Sequence, residues 1–216
     1  MKITAISTQV RNVDRVNVSV DGSYRFSLTV TQLVDAGLNV GDEVSEGQLE
    51  YLESESAFGK IYQRSLEYVL MRPRSVRELS DYLYRKTQPR RTRNRRTGEI
   101  TQREGVHQSV ASRVSRDLQE RGYVSDEKFA DFWVRHRFMN KGISQRKLRA
   151  ELQAKGVPGS IIDEALHSSE RNEDDELRKV IMKKRRRYTD DTKFMQYLAR
   201  QGFSYDAIKQ ALQCDD

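Results

Sequence analysis

Apolar residues recur along this chain in a pattern that is itself repeated. Leu148, Leu152, Gly156, Val157, Ile162, Ala165 and Leu166 are matched 46 residues later by Phe194, Leu198, Gly202, Phe203, Ile208, Ala211 and Leu212. The i, i+4 spacing of each opening pair reads as one face of a helix. The glycine with its following apolar residue reads as a left-handed stop, and the remainder as a second helix. Leu79 and Leu83 stand where Leu148 and Leu152 would stand in an earlier copy, and Val110, Val114 and Leu118 align with Pro158, Ile162 and Leu166. The offset changes from 69 to 48 between those two groups, so about 21 residues are inserted in the first copy. Helical units too small to bury an apolar face alone do so by stacking. The pattern therefore predicts three tandem three-helix repeats in an elongated arrangement, with function on an extended surface and not in a pocket.

Each repeat carries its own punctuation. In the first, Ile61, Leu66, Val69 and Leu70 share a helical face that stops at Arg72-Pro73, and Ser75 with Glu78 forms a capping box before Leu79 and Leu83. In the second, Gly122-Tyr123 closes a helix and Ser125 caps the next, with Asp126 and Glu127 in its first turn. Phe129, Trp133 and, less regularly, Phe132 give that helix its apolar side; Gly142 and Ser144 then lead into the helix of Leu148 and Leu152, and Pro158 opens the last helix. The third begins near Glu173 with Leu177, Val180 and Ile181, restarts at Thr189-Asp190-Asp191, and ends near Leu212 after the Gly202-Phe203 cap.

The first 30 residues follow a period of two. Ile3, Ala5 and Val10 lead to Val16, Val18 and Val20, then to Asp21-Gly22, then to Tyr24, Phe26 and Leu28. Asp-Gly suits the two positive-φ positions of a hairpin turn, so 15–20 and 24–29 should pair antiparallel. Two or three strands need cover. A short helix near 31–37 and another capped by Ser45 with Gln48 supply it. The organisation expected is a small α+β module over 1–56, repeat one over 57–124 with an insertion at 87–108, repeat two over 125–170 and repeat three over 171–216.

Composition sharpens this mainly α reading. Only 36% of residues are apolar while 33% are charged, which suits thin modules with much solvated surface. No run of 18 apolar residues occurs, and Met1 leads into alternating residues with no apolar targeting core, so no membrane association and a cytoplasmic location are expected. The single cysteine, Cys214, excludes an internal disulfide and is read as an incidental thiol.

Charge is unevenly spread. Residues 1–57 hold four basic and nine acidic side chains, a net of −5; the whole chain is +7, so the remainder carries +12. Such asymmetry points to a polyanion, nucleic acid above all, beside the helical part. Three clusters carry that expectation. Arg90, Arg91, Arg93, Arg95 and Arg96 lie in the insertion, with almost nothing able to enter a core; that block either stays mobile or makes a β-ribbon turning at Thr97-Gly98. Arg135, Arg137, Lys141, Arg146, Lys147 and Arg149 belong to the second repeat, partly at helical spacing opposite Leu148 and Leu152. Lys183, Lys184, Arg185, Arg186 and Arg187 crowd a helix end beyond what the helix dipole needs. A solvated face is the default for the helices of the second group, whereas the other two clusters favour contact with phosphate or an acidic partner.

No catalytic or metal constellation is present in the sequence. His107, His136 and His167 fall on different predicted elements without ligand spacing, and Asp174-Asp175 and Asp190-Asp191 suit helix starts. Gly142, Gly156 and Gly202 punctuate helices and cradle no phosphate. Trp133, Tyr123 and Phe203 are read as packing residues, although exposed rings could stack on bases.

Several spaced motifs, in order, resemble the RecX family of bacterial regulators of the RecA recombinase. They are Arg72-Pro73-Arg74-Ser75 with Glu78, Leu79 and Leu83; Gly122-Tyr123 with Asp126, Phe129, Ala130, Trp133, Val134, Arg135 and Arg137; and Lys141-Gly142 with Glu151-Leu152 and Lys155-Gly156-Val157. The resemblance covers roughly 61–86 and 109–213, and the hairpin module is similar to that of some members. Thr87 departs from the pattern, standing where glycine is expected, and the arginine-rich insertion follows at once. The resemblance implies a non-enzyme without cofactors that lodges in the groove of a RecA filament on single-stranded DNA. It also implies that the chain restrains recombination and the SOS-linked co-protease activity. Partners expected are the RecA filament and single-stranded DNA, with duplex DNA left open, and the chain is expected to act as a monomer. The alternative from the residues alone is a stand-alone helical-repeat nucleic-acid-binding protein. A nucleic-acid-processing enzyme is disfavoured by the lack of an acid/base or metal set.

Overall fold

The structure, a computed structural model, describes residues 1–10, 12–93 and 96–213. Arg95 and Cys214, named above, lie outside the described residues. The chain divides into two compact units, Met1–Met71 with Ser80–Tyr123, and Arg72–Leu79 with Val124–Asp216.

In the first unit, the alternating segment forms a three-stranded antiparallel sheet of β1 (Ile3–Gln9), β2 (Asn12–Val20) and β3 (Ser23–Thr29), in that order. Asp21 and Gly22 adopt φ of 49° and 82°, and Val20 pairs with Ser23, as a tight Asp-Gly hairpin requires. Ile3, Val16, Val18, Val20, Phe26 and Leu28 pack with Leu49 and Leu52 in one core. Ala5 and Val10 do not join it. A register shift between Ile3 and Ala5 reverses the phase of β1, so Ile6 faces the core and Ala5 faces solvent.

Two capping boxes organise the cover of this sheet. Thr29 with Gln32 starts α1 (Val30–Asp35), and Ser45 with Gln48 starts α2 (Glu46–Leu70). The expected boundary at 56/57 is corrected by α2, which crosses it as one 25-residue helix because no proline or capping signal interrupts it. It packs against both β3 and α4 (Gln108–Glu120). Its buried stripe advances through Ile61, Ser65 and Val69, so Leu70 is 64% exposed instead of sharing that face. The expected first repeat is divided too. The opening turn of α3 (Val76–Thr87) belongs to the second unit and the rest of it to the first.

The insertion takes the ribbon form. β4 (Arg90–Arg93) pairs antiparallel with β5 (Ile100–Arg103), Arg90 opposite Arg103 and Arg93 opposite Ile100. The Val106 N–H closes its base by donating to the Lys86 carbonyl at 2.9 Å. The repeat resumes sooner than residue 108. His107 caps α4 with φ −59° and ψ 144°, the values Pro158 has at the start of α7 (Gly159–His167), so Gly105-Val106 occupies the place of Gly156-Val157.

The second unit contains α5 (Asp126–His136), α6 (Gln145–Ala154), α7, α8 (Glu173–Lys184), a 3-10 turn at Arg185–Arg187, α9 (Asp191–Arg200) and α10 (Tyr205–Gln213). Phe129, Leu148, Leu152, Val157 and Ile162 share one core, and Leu177, Ile181, Phe194, Leu198, Phe203 and Ile208 another. Trp133 packs at the edge of the first, and its Nε1–H donates to Glu151 at 3.0 Å. Tyr123 does not pack as expected. It is 42% exposed, while the adjacent Val124 is buried.

One contact recurs between successive middle helices. Ser75, before α3, donates its hydroxyl to the carbonyl of Lys155 at the end of α6, 2.8 Å away. Ser144, before α6, does the same to Gln201 at the end of α9, 2.6 Å away. Each hydroxyl also accepts from its own helix, from the N–H of Glu78 and of Lys147. Helix start thus meets helix end, joining orphan donors and acceptors of opposite partial charge. The capping glycines permit this approach. A Cβ on Gly156 would lie 2.8 Å from Arg77 Cβ, and one on Gly202 2.5 Å from Ser144 Oγ; both glycines have positive φ, 79° and 97°.

Carboxylates reinforce these junctions. Asp126 accepts from the Val76 N–H, Glu173 from the Gln145 N–H and Glu176 from the Ile143 N–H. Glu78 accepts from Nη1 and Nη2 of Arg72, each at 3.0 Å, and from Lys155 at 2.8 Å. Burial works against its ionisation, but the hydrogen bonds from Arg72 and Lys155 outweigh it and hold the carboxyl below its usual value.

Two outcomes follow from the junctions. Ser144→Ala removes a cap and an inter-repeat bond together and should cost about 2 kcal/mol in chemical denaturation. Ser125→Ala, at a helix start whose hydroxyl accepts from Lys128 N–H and reaches only its neighbour Glu127, should cost about half as much; equal losses would remove the inter-repeat bond from the account. The stabilisation from a lowered carboxyl is complete above the usual carboxylate range and disappears as pH falls through the lowered value. Asp126 and Glu173, pushed up chiefly by burial, contribute with the opposite sign, so the test is a difference between variants. Glu78→Gln should be less stable at neutral pH and lose less on acidification than the parent. Parallel acid limbs in the two proteins would contradict the assignment.

Candidate nucleic-acid interface

The structure sorts the candidate cations by what surrounds them. Arg137 follows α5 and is held inside the second repeat. It meets Glu151 at 2.7 and 3.0 Å, and its guanidinium lies 4.9 Å from the centre of the Trp133 ring and 3.9 Å from that of Phe138. Those hydrogen bonds from Arg137 and Trp133 overcome the burial of Glu151 and lower its carboxyl. Arg149 is paired with Asp163 and Arg185 with Asp191, each at 2.5 Å. Arg135 is exposed at the end of α5, beside a surface recess lined also by Arg171 and Lys179 but equally by Glu170, Asp175 and Glu176. That recess has no net preference for an anion.

Lys141, Lys147 and Lys184 behave differently, because the fold brings them together. Lys141 comes from the loop after α5, Lys147 from the first turns of α6 and Lys184 from the end of α8, and they line one recess with Phe138, Tyr197 and Gln201. No acidic side chain lines it. Lys147 donates to Gln201 Oε1 at 2.7 Å, and the Lys141 ammonium stands 5.7 Å from the centre of the Phe138 ring. Phe138 has φ of 47°, a left-handed conformation costly for a side chain of this size. Burial, with Tyr188 acting in the same direction, raises the Tyr197 phenol, while Arg187 opposes the shift. The recess is about 170 Å³, below the range of small-molecule pockets and suited to a phosphate group.

Arg146, Lys183, Arg186 and Arg187 are exposed but do not line this recess. In the first unit, Arg90, Arg91 and Arg93 are exposed on β4, with Arg93 donating to the Gly98 carbonyl at 3.3 Å, and Arg96 lies in the ribbon turn. Phe138, Tyr197 and Gln201 escaped the sequence reading. Tyr197 and Gln201 stand one turn apart just before the Gly202 stop, a spacing that marks a face but not what covers it. Among the described residues no group of three or more His, Cys, Asp or Glu side chains could hold a metal ion. His107 caps α4, His136 stacks on Phe132 and His167 ends α7. No helix among the described residues is long and apolar enough to cross a membrane.

Comparison with known proteins gives the family and the fold. Residues 125–166 match the family model described as RecX, second three-helix domain, and residues 1–45 match the Regulatory protein RecX N-terminal domain. Regulatory protein RecX of Bacillus pumilus is 32% identical over 222 residues, covering 98% of this chain and 76% of the relative. That of Bacillus licheniformis is 30% identical over 221 residues, covering 99% and 77%. A crystal structure of regulatory protein RecX superposes with a TM-score of 0.72 at 21% identity, covering 98% of both chains. That of RecX from Lactobacillus salivarius gives 0.54 at 20% identity, over 73% of this chain and 95% of the other. At those identities the two crystal structures speak for the fold, and the two Bacillus relatives for the family. The chain belongs to the RecX family of non-catalytic regulatory proteins, which act in RecA-dependent recombination.

Proposed function

We propose that this chain binds RecA filaments on single-stranded DNA and restrains their recombinase and SOS-linked co-protease activities, acting as a monomer in the cytoplasm. The observation that carries this reading is the convergence of Lys141, Lys147 and Lys184 from two successive repeats on one recess without a carboxylate. Cations concentrated on a recess that no carboxylate lines are costly to hold unless an anion joins them, and a strand bound to RecA presents phosphates at regular intervals. Arg146 on α6, Lys183 on α8 and Arg186 and Arg187 in the 3-10 turn add exposed positive charge on the elements that carry the recess, while the stacked repeats provide further surface for the protein partner. Arg137, Arg149 and Arg185 serve this reading indirectly. Their carboxylate partners fix the helices that display the unpaired cations.

A strand-exchange assay tests both halves of the reading. The chain should slow RecA-catalysed exchange at ratios well below one per RecA protomer, and Lys141→Glu with Lys147→Glu and Lys184→Glu should relieve the block. The same variant should bind single-stranded oligonucleotide with a log–log salt slope smaller by about 2, from roughly 0.7 per neutralised phosphate. Unchanged exchange in the presence of tight DNA binding would instead identify a stand-alone nucleic-acid binder.

A further inference from the structure

A second group of cations, in the first unit, has no role in the recess described above. Arg64 on α2, Lys86 on α3 and Arg90, Arg91 and Arg103 on the ribbon line one surface groove, with Glu104 as its single acidic side chain. No ion pair involves Arg64, Lys86, Arg90, Arg91 or Arg103 among the described residues. Lys60 stands one helical turn before Arg64 on α2, and Ser56 one turn before that. Arg15 joins this row from β2. It is 5% exposed and donates to the carbonyl and hydroxyl of Ser27, whose carbonyl also receives the Ser56 hydroxyl, yet its Nη1 is buried without an acceptor.

The charges in this row act on one another. Burial lowers the proton affinity of Arg15, with Arg64 adding to the effect and Tyr24 opposing it. Burial likewise lowers that of Lys60, and Arg15 and Arg64 both contribute in the same direction. Lys86 is lowered by burial first and then by Arg90, Arg64 and Arg85. A chain of cations that depress one another's protonation, with one guanidinium nitrogen buried without an acceptor, is stabilised by an oxyanion. The adjoining rings favour nucleic acid as its source over an acidic peptide. Tyr68 and Tyr82 are half-exposed and stacked at 4.4 Å, the Tyr82 hydroxyl donates to the Arg64 carbonyl, and Lys86 lies 4.7 Å from the centre of the Tyr82 ring. Cations that track a backbone beside aromatic faces are the general means of holding a single strand.

We infer that Arg64, Lys86, Arg90, Arg91 and Arg103, with Lys60 beside them and Arg15 behind, form a second phosphate track that takes the backbone of single-stranded nucleic acid from the ribbon onto α2. This rests on the DNA-binding half of the proposed function and is independent of the recombinase. The track lies wholly in the first unit, so it supplements the phosphate binding of the repeats.

The test uses the full chain and a fluorescent oligothymidylate, without RecA. Arg64→Glu with Arg103→Glu changes two exposed side chains and should leave the circular dichroism unchanged and the melting temperature no lower. Its salt slope should fall by about 0.7 for each phosphate that is no longer neutralised, while strand binding through Lys141, Lys147 and Lys184 persists. In the unmodified chain, oligothymidylate should protect Lys60 and Lys86 from acetylation, a readout that needs no variant. A parental slope in the variant, with Lys60 and Lys86 still reactive in a chain that binds the strand through its repeats, would overturn the track and leave the repeat interface standing. No strand binding by the unmodified chain would remove both.

Discussion

A single hydroxyl at the start of α3 and of α6 performs two tasks, and the stacking of the repeats depends on it. Ser75 and Ser144 accept from the first turn of their own helices and donate to the last carbonyl of the next repeat's middle helix. The groups being joined are those every helix leaves unpaired at its ends, so the junction satisfies polar groups that would otherwise require water. It also sets a distance. The helix ends can come this near only where the stopping residue lacks a Cβ, as at Gly156 and Gly202, and where positive φ is tolerated. Serine before a helix and glycine after one would be ordinary punctuation in isolation; stacked, they are the two halves of one contact.

The charged residues divide along the same lines. Many of the cations in this strongly basic chain are bound to carboxylates that position helices, including Arg72 with Glu78, Arg137 with Glu151 and Arg171 with Glu176. Removing one partner of such a half-buried pair leaves the other uncompensated, which makes these residues structural before they are anything else. Lys141, Lys147 and Lys184 instead share a recess lined by no acid, and Arg64, Lys86 and the ribbon arginines share a groove with one. Net charge brings a polyanion near. The distribution of internal partners determines which cations remain without a counterion.

The absence of a deep pocket in the proposed interface fits regulation by binding. Repeats with separate small cores, one around Leu152 and another around Leu198, leave their polar faces available to partners. In the first unit the arginine-rich ribbon has no buried strand residue, and its pairing and the return of Val106 to Lys86 are the means by which the backbone holds it in place. Such an element adds little to folding and presents its side chains outward.

Periodicity by itself determined the hairpin, the repeats and most of their stops, because a helix face or a strand face is written in the spacing of apolar residues. It failed where a local irregularity or an uninterrupted helix changed the phase, as with Ala5 after the bulge in β1, Leu70 beside the stripe of Ile61 and Val69, and the boundary that α2 crosses. The basic clusters were legible as composition, but a run such as 183–187 does not reveal that Lys184 turns towards Lys141 and Lys147 while Arg185 turns towards Asp191. Nor does it bring Arg64 and Lys86 to the ribbon, or leave the Arg15 guanidinium buried beside Ser27. Charge is a property of a residue, whereas having or lacking a counterion depends on neighbours far away in the chain, and only the tertiary structure supplies those.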